Sequence, residues 1–183
     1  MKCVMLSIRP KYCELIASGK KTVEVRKTNP KIDVPFKCYI YCTKGDWLTS
    51  VNGSVKKPNN MVIDLSADSK VEELNGKVIG EFVCDKVVQF ENDCYTPAFE
   101  QTADLSCVGY KGLYDYLGAK EYGYGWHITD LVIYEQPKDL SEFRSYNVST
   151  YIDEEFGLPM PTHIIKRPFQ SWGYVEELKG ESE

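Results

Sequence analysis

The stretch Gly19-Lys-Lys-Thr-Val-Glu-Val-Arg26 gathers the residue types best suited to chemistry. Thr22, Glu24 and Arg26 alternate with Val23 and Val25, so on an extended strand they share one face and the valines take the other. Acid and base side by side serve two ends. An ion pair fixes local geometry, or the same groups line a cleft and receive a polar or phosphorylated ligand. The pattern alone leaves both open. If catalysis occurs, Lys21 and Glu24 are the candidate pair. Desolvation would turn the lysine into a base or nucleophile, Glu24 would move the proton, and Arg26 would steady developing negative charge. A lysine just after a helix stop also feels the negative end of the helix dipole, which favours its charged form. The charge arithmetic therefore leans toward ligand binding over catalysis.

Two further segments offer ligand contacts. In Tyr-Gly-Tyr-Gly-Trp-His-Ile, residues 122–128, glycines between aromatics leave backbone that a ligand can approach, and Tyr124 and Trp126 are rings on which a base could stack. The alternative is that these aromatics belong to the core or its rim. His127 is a candidate contact, with no Ser, Cys or Asp partner at catalytic spacing. In Arg-Pro-Phe-Gln-Ser-Trp, residues 167–172, Gln170 and Trp172 could cap a pocket or equally staple the C-terminus down.

Charge distribution fits a phosphate-binding surface and, equally, a solvated basic helix and loop. Net charge is -5, yet residues 1–37 carry nine basic and three acidic groups, a local balance of +6, Arg9 and Lys20 among them. A positive surface on an acidic protein still attracts anions, since exposed charges beyond roughly 10 Å are screened. The seven cysteines are odd in number and form no CxxC; Cys38 and Cys42 fall on one strand face with Ile40, as buried thiols would. Neither a disulfide framework, a metal site nor a cofactor is expected. Walker, GxGxxG, HExxH and GxSxG motifs are absent from the sequence. No apolar run approaches the ~20 residues of a membrane span, and Arg9 interrupts any leader core, so a soluble cytoplasmic protein is expected.

The elements that must position these residues read as follows. A strand over 3–8 precedes a helix from Pro10 to the stop at Gly19, then the strand 22–26 and another at 36–42. Residues 43–60 read as a long exposed connection, followed by a strand at 60–65. One long strand is expected over 75–91, where Gly80 permits a bend or bulge. A short helix at 110–118, a strand at 126–135 and a short helix after Asp139 complete the pattern. The expected class is α+β, a small β-barrel flanked by short helices, with residues 1–146 as the domain and 147–183 as a C-terminal extension packed on it.

Three pieces carry a resemblance: MLSIRPKYCELIASGKKTVEVRK, KVIGEFVCDKVV and YGWHITDLVIYEQPKDLSEF. In this order the chain resembles the ASCH domain family of the PUA-like superfamily. Gly19, Lys21, Glu24 and Arg26 match that family's GxKxxExR signature, and the closing RPFQSWGYVEEL is similar to the tail of bacterial and phage members. The resemblance implies a PUA-like barrel with a cleft beside the signature and an RNA or nucleotide-like ligand. It also implies an alternative, an enzyme acting on nucleosides or RNA, since some members deacetylate N4-acetylcytidine and others are ribonucleases. Where the amidohydrolase members carry a threonine three residues after the signature lysine, this chain has Glu24.

Overall fold

The computed structural model describes residues 2–45, 47–50, 53–56, 74–146 and 162–178. The expected strand at 60–65 lies outside them. Strand β1 (Lys2–Ile8) leads into helix α1 (Pro10–Ala17), with Pro10 at the helix start. Ser18 caps the helix, and Gly19 follows at φ +72°, a left-handed position that glycine adopts without strain. Next come β2 (Val23–Arg26) and β3 (Phe36–Cys42). Residues expected to form one exposed connection contain the hairpin β4 (Trp47–Ser50) and β5 (Gly53–Lys56).

The long strand expected over 75–91 is two strands, β6 (Lys77–Cys84) and β7 (Val87–Glu91), lying in different sheets. Likewise the strand expected at 126–135 divides at Ile128 into β8 (Tyr122–His127) and β9 (Thr129–Asp139). Both breaks fall at one corner, where His127 N donates to Lys86 O at 2.9 Å and Ile128 N to Thr22 O at 2.9 Å. The sequence marks that corner only with Asp85 and Lys86 on one strand and His127 on the other, with no Gly or Pro to signal a break. Gly80 sits at a register shift of β6, and a Cβ there would lie 2.4 Å from Val132 O.

Helix α2 (Pro97–Leu105) begins at Thr96, whose hydroxyl accepts from Phe99 N at 3.3 Å; it precedes α3 (Tyr110–Leu117). The helix expected after Asp139 is a single 3-10 turn at Leu140–Glu142, closed by reciprocal Asp139 and Glu142 caps. The chain then extends as β10 (Arg144–Tyr146), with β11 (Thr162–Ile164) and β12 (Trp172–Glu176) further on.

A seven-stranded sheet has the order β11-β10-β12-β1-β3-β6-β9, and β2-β8-β7 form a three-stranded sheet. The chain's return through β12 thus lies beside β1, antiparallel to it, while β1 and β3 run parallel. These described strands do not close into the expected barrel. The chain turns the corner at 85–86 and 127–128, and the sheets remain open, facing each other across a shared core. Val4, Leu6, Cys38, Ile40 and Phe82 fill that core from the large sheet, and Trp126 from the small one. Cys3, Met5, Tyr39, Tyr41 and Phe143 form a second cluster, and Val25 and Phe90 pack with α2 and α3 in a third. All seven cysteines are free thiols, five of them buried. Among the described residues no helix is long and apolar enough to cross a membrane.

Candidate functional site

Register decides which side chains meet on the small sheet. Glu24 lies opposite Trp126, and Arg26 opposite Tyr124. Directly paired residues of an antiparallel ladder project to the same face. That face, turned toward the large sheet, therefore carries Glu24, Arg26, Tyr124 and Trp126, and Val23 and Val25 take the face toward α2. The alternation expected of residues 22–26 holds in direction, but its polar face is not open. Glu24 is 7% exposed and Arg26 5%, beside Val23 at 8% and Val25 at 5%. Both faces of β2 are covered.

Burial is tolerated because the charges answer one another. Glu24 Oε2 pairs with Lys21 Nζ at 3.1 Å, and Glu24 Oε1 with Arg26 NH2 at 2.9 Å. Lys21, only 2% exposed, also donates to Val23 O and Ser106 O, each at 2.8 Å. These acceptors with Glu24 take up the three protons of the ammonium, and the Tyr12 ring lies 5.2 Å away. Lys21 thus ties the start of β2 to the end of α2. Arg26 NH1 donates to Ser171 O at 3.1 Å and Ser171 Oγ at 3.2 Å; NH2 donates to Ser7 O at 3.1 Å. One guanidinium joins β1, β2 and the segment entering β12. Ser7 reinforces the junction, its N–H donating to Ser171 O and its hydroxyl to Phe169 O.

The other expected contacts are dispersed. Trp126 is fully buried, edge-on to Phe36 at 5.5 Å and tilted on Trp172 at 6.0 Å, so it offers no ring face to a ligand. The glycines that precede it, on either side of Tyr124, admit the protein's own side chains. A Cβ at Gly123 would lie 2.5 Å from Phe90 Cζ and 2.9 Å from Leu117 Cδ2; at Gly125, 3.1 Å from Val23 Cγ1. Tyr124 is partly buried against the core. Trp172 donates its indole N–H to Thr28 Oγ1 at 3.0 Å, and Gln170 is exposed. His127 finds a partner that sequence spacing did not reveal, Asp85 at 2.7 Å, and this hydrogen bond holds the Asp85 carboxyl below its ordinary range. Arg9 and Lys20 are exposed.

The exposed rim of the array includes a residue that sequence reasoning missed. Tyr116 lies with its ring 5.1 Å from Lys27 Nζ. Burial pushes its hydroxyl up, Arg26 and Arg9 oppose that shift, and Glu24 adds to it, which places all three within electrostatic reach. Its sequence signal is faint, one tyrosine among several on α3. Ser106 contributes only a carbonyl from 85 residues away, which no sequence pattern announces. Two open clefts, of about 720 and 820 Å3, flank β11, lined respectively by residues such as Arg144 and Arg167 and by Tyr41 and Asp139. Neither adjoins Glu24. No group of His, Cys, Asp or Glu among the described residues could hold a metal.

Two open sheets with a buried Lys–Glu–Arg array on their seam define a mixed α+β domain. The ASCH domain family matches residues 6–138, and the chain belongs to that family, a PUA-like fold. Among solved structures it is similar to an ASCH protein from Zymomonas mobilis. A serine-to-alanine variant of that protein shows 17% identity and a TM-score of 0.59, over 95% of this chain and 88% of the other. The unsubstituted protein shows 18% and 0.51, over 97% and 88%. At that identity the likeness is one of fold. No curated protein matches the sequence significantly.

Proposed function

We propose that this ASCH chain is an RNA- or nucleotide-binding module whose ligand meets the rim around Arg9, Lys20, Lys27 and Tyr116, over the buried Lys21–Glu24–Arg26 array. The observation that carries the reading is the division of labour among the cations. Lys21 and the two terminal nitrogens of Arg26 are buried and engaged by internal acceptors, while Arg9, Lys20 and Lys27 are exposed, with an aromatic ring beside Lys27. Exposed cations meet phosphates, and a ring of partial exposure stacks an unpaired base, at roughly 1–3 kcal/mol per base. The buried array holds β1, β2, α2 and the entry to β12 in register, so it shapes the rim without touching the ligand. Lys21 and Glu24 on this reading are positioning residues.

The test is an anisotropy titration of a short labelled single-stranded RNA at low and physiological salt. Binding should weaken as salt rises, with a slope reduced by about 0.7 for each phosphate contact removed by Arg9→Ala, Lys20→Ala or Lys27→Ala. Tyr116→Ala should weaken binding without changing the slope. Salt-independent binding, or indifference to all these substitutions, refutes the reading. Turnover of RNA or of acylated cytidine that Lys21→Ala abolishes in a folded variant would establish the enzyme instead.

A further inference from the structure

Helix α3 turns Leu113 and Leu117 into the core and leaves Tyr110 and Tyr114, one helical turn apart, outside. The tyrosine surface continues past the helix. Asn92 donates from its side chain to Gly118 O at 3.0 Å and Lys120 O at 3.1 Å, and its N–H to Glu121 O at 2.8 Å. That stitching brings the turn bearing Tyr95 alongside the chain entering β8 at Tyr122. Exposure is 91% for Tyr95, 53% for Tyr114, 40% for Tyr110 and 37% for Tyr122. Tyrosine keeps a polar tip in water, but so many rings on one side of a small domain form a surface suited to contact.

The charges around these rings have one dominant sign. Glu91, Asp93, Glu100, Asp104 and Glu121 are exposed here, against two exposed cations, Lys120 and a Lys111 paired with Asp115. Two of the rings have acidic neighbours that push their hydroxyls up, Glu100 for Tyr110 and Glu121 for Tyr122. Tyr110 also rests on the buried Phe99 ring at 6.2 Å, which fixes its plane. Tyr110 is thus oriented, and it and Tyr122 each have a carboxylate nearby.

We infer that this surface docks an arginine-rich segment of a partner protein. A guanidinium is flat, stacks on a tyrosine face and forms paired hydrogen bonds with a carboxylate, so exposed rings among exposed carboxylates answer both of its properties. An ammonium answers only the charge. Phosphates are repelled by the same carboxylates, which separates this face from the RNA rim. A second copy of this chain is a poor occupant, because its four arginines are dispersed along the sequence, Arg26 is buried and Arg144 is engaged by Thr162 and Glu176. The surface would let one molecule hold RNA on one side and a basic protein on the other.

The experiment uses the full chain and short labelled peptides alternating glycine with arginine, lysine or glutamate, read by fluorescence anisotropy. The arginine peptide binds about tenfold more tightly than the lysine peptide, and the glutamate peptide does not bind. Tyr110→Ser with Tyr114→Ser weakens the arginine peptide about tenfold while circular dichroism and RNA affinity stay unchanged. Glu100→Gln with Glu121→Gln weakens it less and flattens its salt dependence. Equal binding of the arginine and lysine peptides, or tyrosine substitutions without effect, overturns the inference. Self-association that the tyrosine substitutions abolish also overturns it, since the occupant is then a second copy. RNA affinity that falls with these substitutions places RNA on this face and overturns it as well.

Discussion

The two faces of the three-stranded sheet are both buried and are held by different physics. The face toward the helices carries Val25 and Phe90 and packs against Phe99, Ala103, Leu113 and Leu117. Its fit depends on shape, with Gly123 and Gly125 leaving the space that Phe90, Leu117 and Val23 fill. The face toward the large sheet is fixed by charge, with Glu24 between Lys21 and Arg26. Apolar packing adapts when a group is trimmed. A buried ion array does not, because removing one member leaves the others desolvated and unanswered. The pair of faces shows why a charged signature sits in a sheet interior. The apolar face supplies stability, and the charged face fixes how β1, β2, α2 and the C-terminal strand meet.

The sharpest way to break this contrast is on the charged face. Glu24→Ala leaves Lys21 and Arg26 buried without their carboxylate and should cost about 3–5 kcal/mol in urea unfolding. An unchanged midpoint would mean that the array is not structural. On the apolar face, Gly123→Ala places a methyl against Phe90 and Leu117 and should cost about 1–3 kcal/mol by overpacking. If it cost more than Glu24→Ala, the ranking of the two faces would be reversed. Away from both faces, Lys111→Ala removes an exposed i,i+4 pair with Asp115 and should change stability by no more than about 0.5 kcal/mol.

Much of the fold was legible, because β1, α1, β3 and α3 combine clear periodicity with Pro10 or glycine stops. The corner at 85–86 and 127–128 was not legible, since neither Gly nor Pro marks it and its polar residues, Asp85, Lys86 and His127, also fit the exposed positions of a continuous strand. Helix α2 was missed although Thr96 and Pro97 announce its start. At the site, alternation located Glu24 and Arg26 on one face correctly but could not say that this face was covered. Polar residues on alternate positions normally mean solvent, and only long-range acceptors such as Ser106 O, Ser171 and Ser7 O make burial tolerable. The aromatic-glycine stretch was misleading for a related reason. Its gaps admit the protein's own Phe90 and Leu117.

Buried acids of the large sheet extend the comparison to pH. Burial pushes the Tyr39 hydroxyl up to about 12, and the Cys84 and Cys3 thiols to about 12 and about 11. Each favours its neutral form in the fold. Their contribution is complete below the unfolded values, about 8.5 for cysteine and 10 for tyrosine, and is lost as pH climbs from there toward the folded values. Unfolding midpoints should therefore fall between about pH 9 and 12. In native protein at neutral pH an aromatic disulfide reagent should label exposed Cys94 first and leave the five buried thiols unlabelled. Rapid labelling of Cys38 would show that the core is open.

The central claim, that the signature lysine builds the domain and the ligand meets the rim, is tested most directly by Lys21→Met. The measurement is RNA affinity below the unfolding transition together with the urea midpoint of the same preparation. The account predicts a loss of about 3–5 kcal/mol in stability, because Glu24 loses one of its two cations in the interior, with RNA affinity retained in the folded fraction. A variant as stable as the wild type that no longer binds RNA would contradict it, and would place Lys21 on the ligand itself.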